Sequence, residues 1–342
     1  MSADSSAPAE RLQRAWREGG VLAQLLRPLG ALYGLLSGAH AALYRWGWRK
    51  TETLPVPVIV VGNWIVGGAG KTPTTLALLQ LLRAQGIAAG VISRGYGRDE
   101  SLTGPVHLLR RASSAREAGD EPLLIHLRSG APVAVGRDRV AAARALLAAH
   151  PELQLLISDD GLQHWRLPRA LSILVFDERG LGNGRLLPAG PLRQSRPLSR
   201  EPQIVLYNAP APSTPLPGHL GRRRLAGAVR LQDWWQGQPA RLETLQALRG
   251  RELLAAAGLA QPQRFFGMLR EQGLQIRELH LSDHHDFASL PWPADTPELL
   301  ITEKDAVKLD PARLGSTQAW VVALDFRPDE SFEQALLALL PR

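Results

Sequence analysis

From residue 56 onward, short apolar runs alternate with segments of helical period. "VPVIVVGN" (56–63) reads as a buried strand, and 74–84 as an apolar-faced helix closed by Gly86. "IAAGVIS" (87–93) and "APVAVG" (131–136) are further strands, 139–149 is a helix, and "LQLLISD" (153–159) and "LSILVFD" (171–177) are two more strands. Strands separated by helices predict a parallel sheet with right-handed crossovers. Between 193 and 202 the chain becomes rich in Arg, Pro and Ser, which marks a hinge. Beyond it, strand patterns at 202–208, 274–281, 298–303 and 319–326, with helices near 263–272 and 332–340, predict a second, smaller α/β unit.

The N-terminal pattern is different. Residues 1–9 are rich in Ser, Ala and Pro and read as disordered, and the first apolar stretch lacks a signal-peptide cleavage site. Residues 21–44 are apolar but interrupted by Arg27, Pro28 and glycines, with Leu25, Leu29, Leu32, Leu36 and Leu43 at helical spacing. The uncharged run 28–44 sits at the lower limit for a membrane span and contains Ser37 and His40. Arg11, Arg14 and Arg17 precede it and "YRWGWRK" (44–50) follows. An apolar face between basic and tryptophan-rich flanks is what an interfacial helix needs; the same pattern also suits a helix packed on a core.

Composition narrows the partners without choosing among them. The 342 residues suffice for two domains, and 45% hydrophobic with 21% charged residues is the make-up of a folded chain. The absence of cysteine excludes a disulfide framework and thiolate metal sites. A net charge of +8, carried mostly by arginine, points to an anionic partner: nucleic acid, acidic lipid or a phosphorylated substrate.

"VGNWIVGGAGKTP" (61–73) follows a strand and opens a helix, the context of a phosphate-binding loop. Gly67, Gly68, Ala69 and Gly70 form the turn, Lys71 is placed to neutralise β/γ oxygens, and Thr72 to ligate Mg²⁺. The first glycine of the usual pattern is replaced by Ile65. Such a loop requires an acidic residue at the end of a neighbouring strand, and Asp159-Asp160 in "SDDGLQH" supplies two.

With those residues stand "SRGYGR" (93–98), "GDEP" (119–122), "SDDGLQHWRL" (158–167), "GNGRLLPAGPLR" (182–193), "PQRFF" (262–266) and "TEKDAVK" (302–308). Their order resembles the tetraacyldisaccharide 4'-kinase family, the lipid A 4'-kinases of Gram-negative bacteria, across about residues 20–325. The resemblance implies transfer of the ATP γ-phosphate to the 4'-hydroxyl of a tetraacylated disaccharide 1-phosphate, at the cytoplasmic face of the inner membrane. It implies ATP and Mg²⁺ as cofactors, with Lys71, Thr72, Asp159 and Asp160 at the phosphates and metal and Arg193 at phosphate charge. Asp120 is implied as the base, assisted by His284, with Asn63, Arg94, Gln163 and His164 toward substrate. Absence of the first loop glycine is implied to be a family trait. Where the family reads "GPLRE", this chain has Gln194, which keeps an oxygen but loses the charge a hard cation prefers.

The residues alone leave some roles open. Asp120 also suits a cap for a helix starting at Pro122, Arg94 and Arg98 suit plain surface arginines, and His285 competes with His284. A metal site in "SDHHDF" would need side chains that spacing cannot show to converge. The expected architecture is a P-loop NTPase-like parallel sheet flanked by helices, with a second, smaller α/β domain and an N-terminal amphipathic, membrane-associated helix. Its divisions are 1–50 (disordered start plus interfacial helix), 51–200 (P-loop domain) and 201–342, the active site falling in the cleft between domains. The expected partners are the lipid disaccharide and an anionic membrane surface, without nucleic acid or an obligate protein partner, for a peripheral or monotopic protein. A competing reading is a membrane-associated ATPase switch of the partitioning type. Val66 stands where such proteins carry their signature lysine. A nucleic-acid-binding NTPase rests on net charge alone.

Overall fold

The computed structural model describes residues 6–195 and 201–340. Twelve strands occur among them: β1 Val58–Gly62, β2 Ala89–Ser93, β3 Val106–Leu108, β4 Val133–Gly136, β5 Leu155–Asp159, β6 Leu171–Phe176, β7 Gln203–Tyr207, β8 His219–Arg230, β9 Leu253–Ala257, β10 Ile276–His280, β11 Glu298–Thr302 and β12 Gln318–Pro328. Contacts divide the chain into two compact units, each discontinuous in sequence. One comprises Met1–Ile92, Arg139–Arg222 and Pro328–Arg342; the other comprises Ser93–Asp138 and Arg223–Arg327. The sequence pattern had suggested contiguous domains at 51–200 and 201–342, and the units instead interleave. The expected hinge at 193–202 falls partly on residues 196–200, outside the described residues.

In the first unit, β1 pairs in parallel with β5 on one side and β6 on the other, β2 pairs with β5, and β7 with β6. The register sets Val61 beside Asp159, so the loop leaving β1 and the aspartates ending β5 emerge at one edge. Every residue of β1, β5 and β6 is buried, which is why these strands read as continuous apolar runs rather than alternating ones. The helix Lys71–Ala84 packs on β1 and β5 through Leu78, Leu79 and Leu82.

The N-terminus is helical from Ser6, in segments Ser6–Glu18, Val21–Leu25 and Arg27–Arg45. Disorder was expected through residue 9; helix Ser6–Glu18 shows that only residues 1–5, which lie outside the described residues, are left to that expectation. Small residues make the docking possible. A Cβ on Gly30 would lie 3.2 Å from the Leu186 carbonyl and 3.3 Å from Ala189, so only glycine admits that approach comfortably. Trp16 Nε1 donates to the Pro188 carbonyl (2.9 Å) and Asn183 Nδ2 to the Ala15 carbonyl (3.0 Å). The opposite face of Arg27–Arg45 points outward, with Leu29 54%, Leu32 52%, Leu35 70% and Leu36 62% exposed. No described helix is long and apolar enough to cross a membrane.

In the second unit β10, β9, β11 and β12 pair in parallel in that order, and β3 pairs with β4 antiparallel. The helix Pro262–Glu271 buries Phe265, Phe266 and Leu269 in a core shared with Leu253, Ala255 and Ala257 of β9. The helix Asp120–Ser129 packs against β4 and against the short helix Glu303–Ala306. Arg128 is ion-paired with the buried Glu303, which also accepts from the Leu324 amide (3.2 Å).

Candidate active site

The chain from Asn63 to Gly70 turns β1 into the helix Lys71–Ala84. Gly67 and Gly70 both hold φ at 93°, a region that disfavours any residue with a Cβ. Ile65 has the opposite requirement. It is 1% exposed and forms an antiparallel bridge with Leu192. Beside it, the Val66 amide donates to the Pro191 carbonyl (2.9 Å) and the Arg193 amide to the Trp64 carbonyl (2.7 Å). Paired, extended and buried backbone favours a β-branched residue, so glycine at position 65 would only forfeit packing.

Polar groups beneath and beside the loop fix its shape. Asn63, fully buried, donates through Nδ2 to the Gly67 carbonyl (3.1 Å) and accepts from Lys71 Nζ through Oδ1 (3.3 Å). Its amide is therefore engaged inside the loop rather than facing a ligand. Arg179 donates to the Val66 carbonyl (3.3 Å) and the Gly68 carbonyl (2.9 Å), while its Nε binds both oxygens of buried Asp177. Asn208 Nδ2 donates to the Ala69 carbonyl (3.0 Å). With these carbonyls engaged by the protein, the loop's backbone geometry is set before any anion arrives. The sequence reading missed Arg179, Asp177 and Asn208. Their signal was position: Asp177 and Asn208 each directly follow a parallel strand adjoining or near β1, where open α/β sheets place ligand contacts.

Asp159 ends β5 and Asp160 follows it. Asp159 is buried and accepts from the Thr75 hydroxyl (3.2 Å). Asp160, at φ 50°, turns its carboxylate to Arg193 Nη1 (2.8 and 3.1 Å) and lies 3.7 Å from Lys71 Nζ. Burial pushes the Asp160 carboxyl up, but the Lys71 ammonium, then Arg193 and Arg139, outweigh it and hold the carboxyl below its ordinary range. Lysine, arginine and carboxylate thus form one charged cluster at the loop, rich in groups for phosphate oxygens. Thr72, Asp159 and Asp160 are hard oxygen donors, the set Mg²⁺ takes.

The second unit carries a different cluster. Asp120 begins the helix Asp120–Ser129, but the residue capping it is Gly119, at φ 85°. No side-chain cap bond exists there, so the cap reading of Asp120 fails. Its Oδ2 instead lies 2.8 Å from His284 Nδ1 and 4.0 Å from Lys308 Nζ. His284 sits at φ 59°, with the Tyr96 ring 5.6 Å away. His285 faces elsewhere: its Nδ1 accepts from the Phe287 amide (3.1 Å) and its ring packs on Phe287. Burial raises the Asp120 carboxyl, but the His284 hydrogen bond and charge, then Lys304 and Lys308, bring it below the ordinary range. His284 is raised, first by its hydrogen bond to Asp120, against burial and Lys304. "TEKDAVK" builds this corner: Thr302 ends β11 and caps the helix Glu303–Ala306 through the Asp305 amide. Asp305, fully buried, then accepts from the Gly258 amide (3.0 Å) and Lys308 Nζ (3.2 Å). Among the described residues no group of three or more His, Cys, Asp or Glu could hold a metal ion.

Residues 22–341 match the family described as Tetraacyldisaccharide-1-P 4'-kinase. A Leptothrix cholodnii protein named tetraacyldisaccharide 4'-kinase is 53% identical over 346 residues, covering 100% of this chain and 99% of its own. The chain belongs to the tetraacyldisaccharide 4'-kinase family. A Janthinobacterium protein of the same name is 46% identical, across 99% of this chain and 98% of its own. The crystal structure of an "apo" form LpxK from Aquifex aeolicus in complex with ATP is similar at a TM-score of 0.76 and 27% identity, covering 94% of this chain and 100% of that one. The P-loop NTPase-like α/β fold is thereby shown, and the partitioning-type switch is set aside.

The remaining expected residues divide. Gln163 Nε2 donates to Gln194 Oε1 (2.8 Å), so the departure at 194 is buried and paired one residue from the Arg193 clamp. His164 is half-buried, its carbonyl accepting from Arg169 (3.3 Å). Arg94 is exposed and available to an anion. Arg98 is not: its buried guanidinium binds the Thr103 hydroxyl and the carbonyls of Gly104 and Pro105, closing a local loop.

Proposed function

We propose that the chain phosphorylates the 4'-hydroxyl of a tetraacyldisaccharide 1-phosphate from ATP, with Asp120 accepting the hydroxyl proton. The observation that carries the mechanistic reading is the Asp120–His284 pair: a mostly buried carboxylate, held ionised, with one oxygen fixed by the imidazole. The acceptor oxygen bonds to the γ-phosphorus, the bond to the ADP oxygen breaks, and the proton passes to Asp120. A carboxylate held below its ordinary range is a modest base. Its contribution is to orient the hydroxyl and to take the proton late, while alignment and charge neutralisation supply most of the rate.

At the loop, Lys71 and Arg193 neutralise phosphate charge, and the amides of Gly67–Lys71 cradle the oxygens. Thr72, Asp159 and Asp160 are the residues that would hold Mg²⁺, which would help to neutralise phosphate charge. On this reading Gln163, His164 and Arg94 would contact the substrate. Asn63 acts one step back, by positioning Lys71.

The N-terminal helices supply a membrane-facing surface on this reading. Leu25, Leu29, Leu32 and Leu36 are more than half exposed, as are Trp46 and Trp48, with arginines flanking them. An acylated substrate has to be collected from a bilayer, and a leucine face with basic and tryptophan flanks suits the anionic headgroup boundary. The protein then acts as a peripheral or monotopic enzyme at the inner face of the inner membrane.

Purified protein incubated with ATP, Mg²⁺ and detergent-dispersed tetraacyldisaccharide 1-phosphate is the test. The expected product carries one further phosphate at the 4'-position. A preparation that binds ATP yet forms none would overturn the assignment.

A further inference from the structure

The pair with Asp120 accounts for only one nitrogen of His284. The other, Nε2, lies 3.4 Å from Lys304 Nζ. An ammonium group only donates, so a hydrogen bond there requires Nε2 to be the acceptor and therefore unprotonated. Lys304 is held for this contact. Its Nζ is 3.3 Å from Glu121 Oε1 and 3.2 Å from Asp283 Oδ1, and its side chain is 17% exposed. Burial favours the neutral amine, but Glu121, Asp283 and Asp120 outweigh it and keep the ammonium charged. With Nε2 accepting, the imidazole proton resides on Nδ1 and points at Asp120 Oδ2, 2.8 Å away.

We propose that Lys304 is a positioning residue for phosphoryl transfer: its ammonium donates to Nε2 of His284 and, above the imidazole titration, holds the neutral tautomer whose Nδ1–H faces Asp120. The proposal rests on the reading of Asp120 as proton acceptor. The chemical consequence follows from charge. Without Lys304, Nε2 takes a proton, and Asp120 then faces an imidazolium that stabilises its ionised form further and weakens it as a base. Asp283 Oδ1, 3.9 Å from Nε2, favours that protonation, so the two neighbours of Nε2 pull in opposite directions. The other charged groups around the ring are Asp120 and Glu121 from the helix Asp120–Ser129 and Lys308 beyond the helix Glu303–Ala306. Tyr96 contributes its ring.

The test is nitrogen NMR of His284 in the full-length protein, assigned by loss of its signal in His284→Gln, in the wild type and in Lys304→Met and Lys304→Arg. In the wild type, above the imidazole titration, Nε2 is expected to give the unprotonated shift and Nδ1 the protonated one. Lys304→Met is expected to raise the titration. Its kcat is expected to fall several-fold near neutral pH and recover as pH rises through the new titration, with the KM for ATP unchanged. Lys304→Arg, which keeps the charge and donors, is expected to stay near the wild type. An unmoved titration in Lys304→Met, or the proton on Nε2 in the wild type, overturns the proposal. If Lys304→Met fails to fold, the wild-type tautomer decides alone. Asp120→Asn separates this from the underlying reading: turnover surviving in Asp120→Asn removes the base role, while the His284 titration still reports on Lys304.

Discussion

The Tyr33 hydroxyl donates to the Arg193 carbonyl at 2.7 Å. A helix that presents leucines to solvent is thereby bonded to the residue whose guanidinium clamps Asp160 beside the phosphate loop. Tyr33→Phe removes that single bond and leaves the ring in place. Calorimetry should find the variant less stable by about 1 kcal/mol, the worth of one partly buried hydrogen bond. A larger loss would mean that the bond also supports the Arg193 clamp on Asp160.

The exposed leucine face should bind membranes. Replacing Leu32 and Leu36 together by Glu removes apolar surface and adds negative charge on the face proposed to meet anionic lipid. Co-sedimentation with vesicles containing anionic lipid should fall at least tenfold, with turnover of detergent-dispersed substrate largely retained. Unchanged vesicle binding would place the membrane contact elsewhere.

Gly67 is constrained twice, by φ of 93° and by Arg179, whose Nη1 would lie 3.1 Å from an added Cβ. Gly67→Ala should fold and should weaken ATP binding by roughly tenfold, since a Cβ in left-handed backbone costs about 1–2 kcal/mol. Arg179→Ala should cost more in stability, about 3 kcal/mol, because Asp177 is buried and left with an uncompensated charge. Denaturant unfolding and ATP titration of both variants distinguish strain in the loop from loss of its support.

His284 and Asp120 set the pH behaviour. Asp120, ordinarily near 3.8, is held lower, so the acid limb of turnover attributable to it should lie below that value. His284→Ala removes the leading influence that lowers Asp120, and the acid limb should therefore move to higher pH. The same pair has a stability window. Asp120 is depressed, so its share is present above 3.8 and lost as pH falls through the folded value. His284 is raised, so its share is present below 6.5 and lost as pH rises through its folded value. Melting differences between wild type and His284→Ala should be largest between those limits and shrink above them.

Much of the fold was legible because its strands are buried on both faces and bounded by glycines and acids, as in 56–63 and 153–159. The strands that escaped notice did so for physical reasons. β9, "LLAAA", is built from strong helix formers and is a strand only because the surrounding core enforces it. β8 carries Arg222, Arg223 and Arg224 in succession, which hides its period. The phosphate loop and Asp159-Asp160 were readable since their chemistry is local to two strand ends. Arg179 and Asn208 were not, because their partners are backbone carbonyls more than a hundred residues away. The choices between cap and base at Asp120, and between His284 and His285, depended on a contact spanning 164 residues that no spacing encodes.

The central claim is that Asp120 takes the proton while the loop around Lys71 binds the nucleotide. Asp120→Asn keeps the shape and removes the acceptor charge, so product formation should fall by at least about a hundredfold. The Kd for ATP, measured on the same preparation, should stay within about twofold of wild type, well under the tenfold that 1.4 kcal/mol represents. Turnover that survives, or ATP binding lost in parallel with it, would contradict the account.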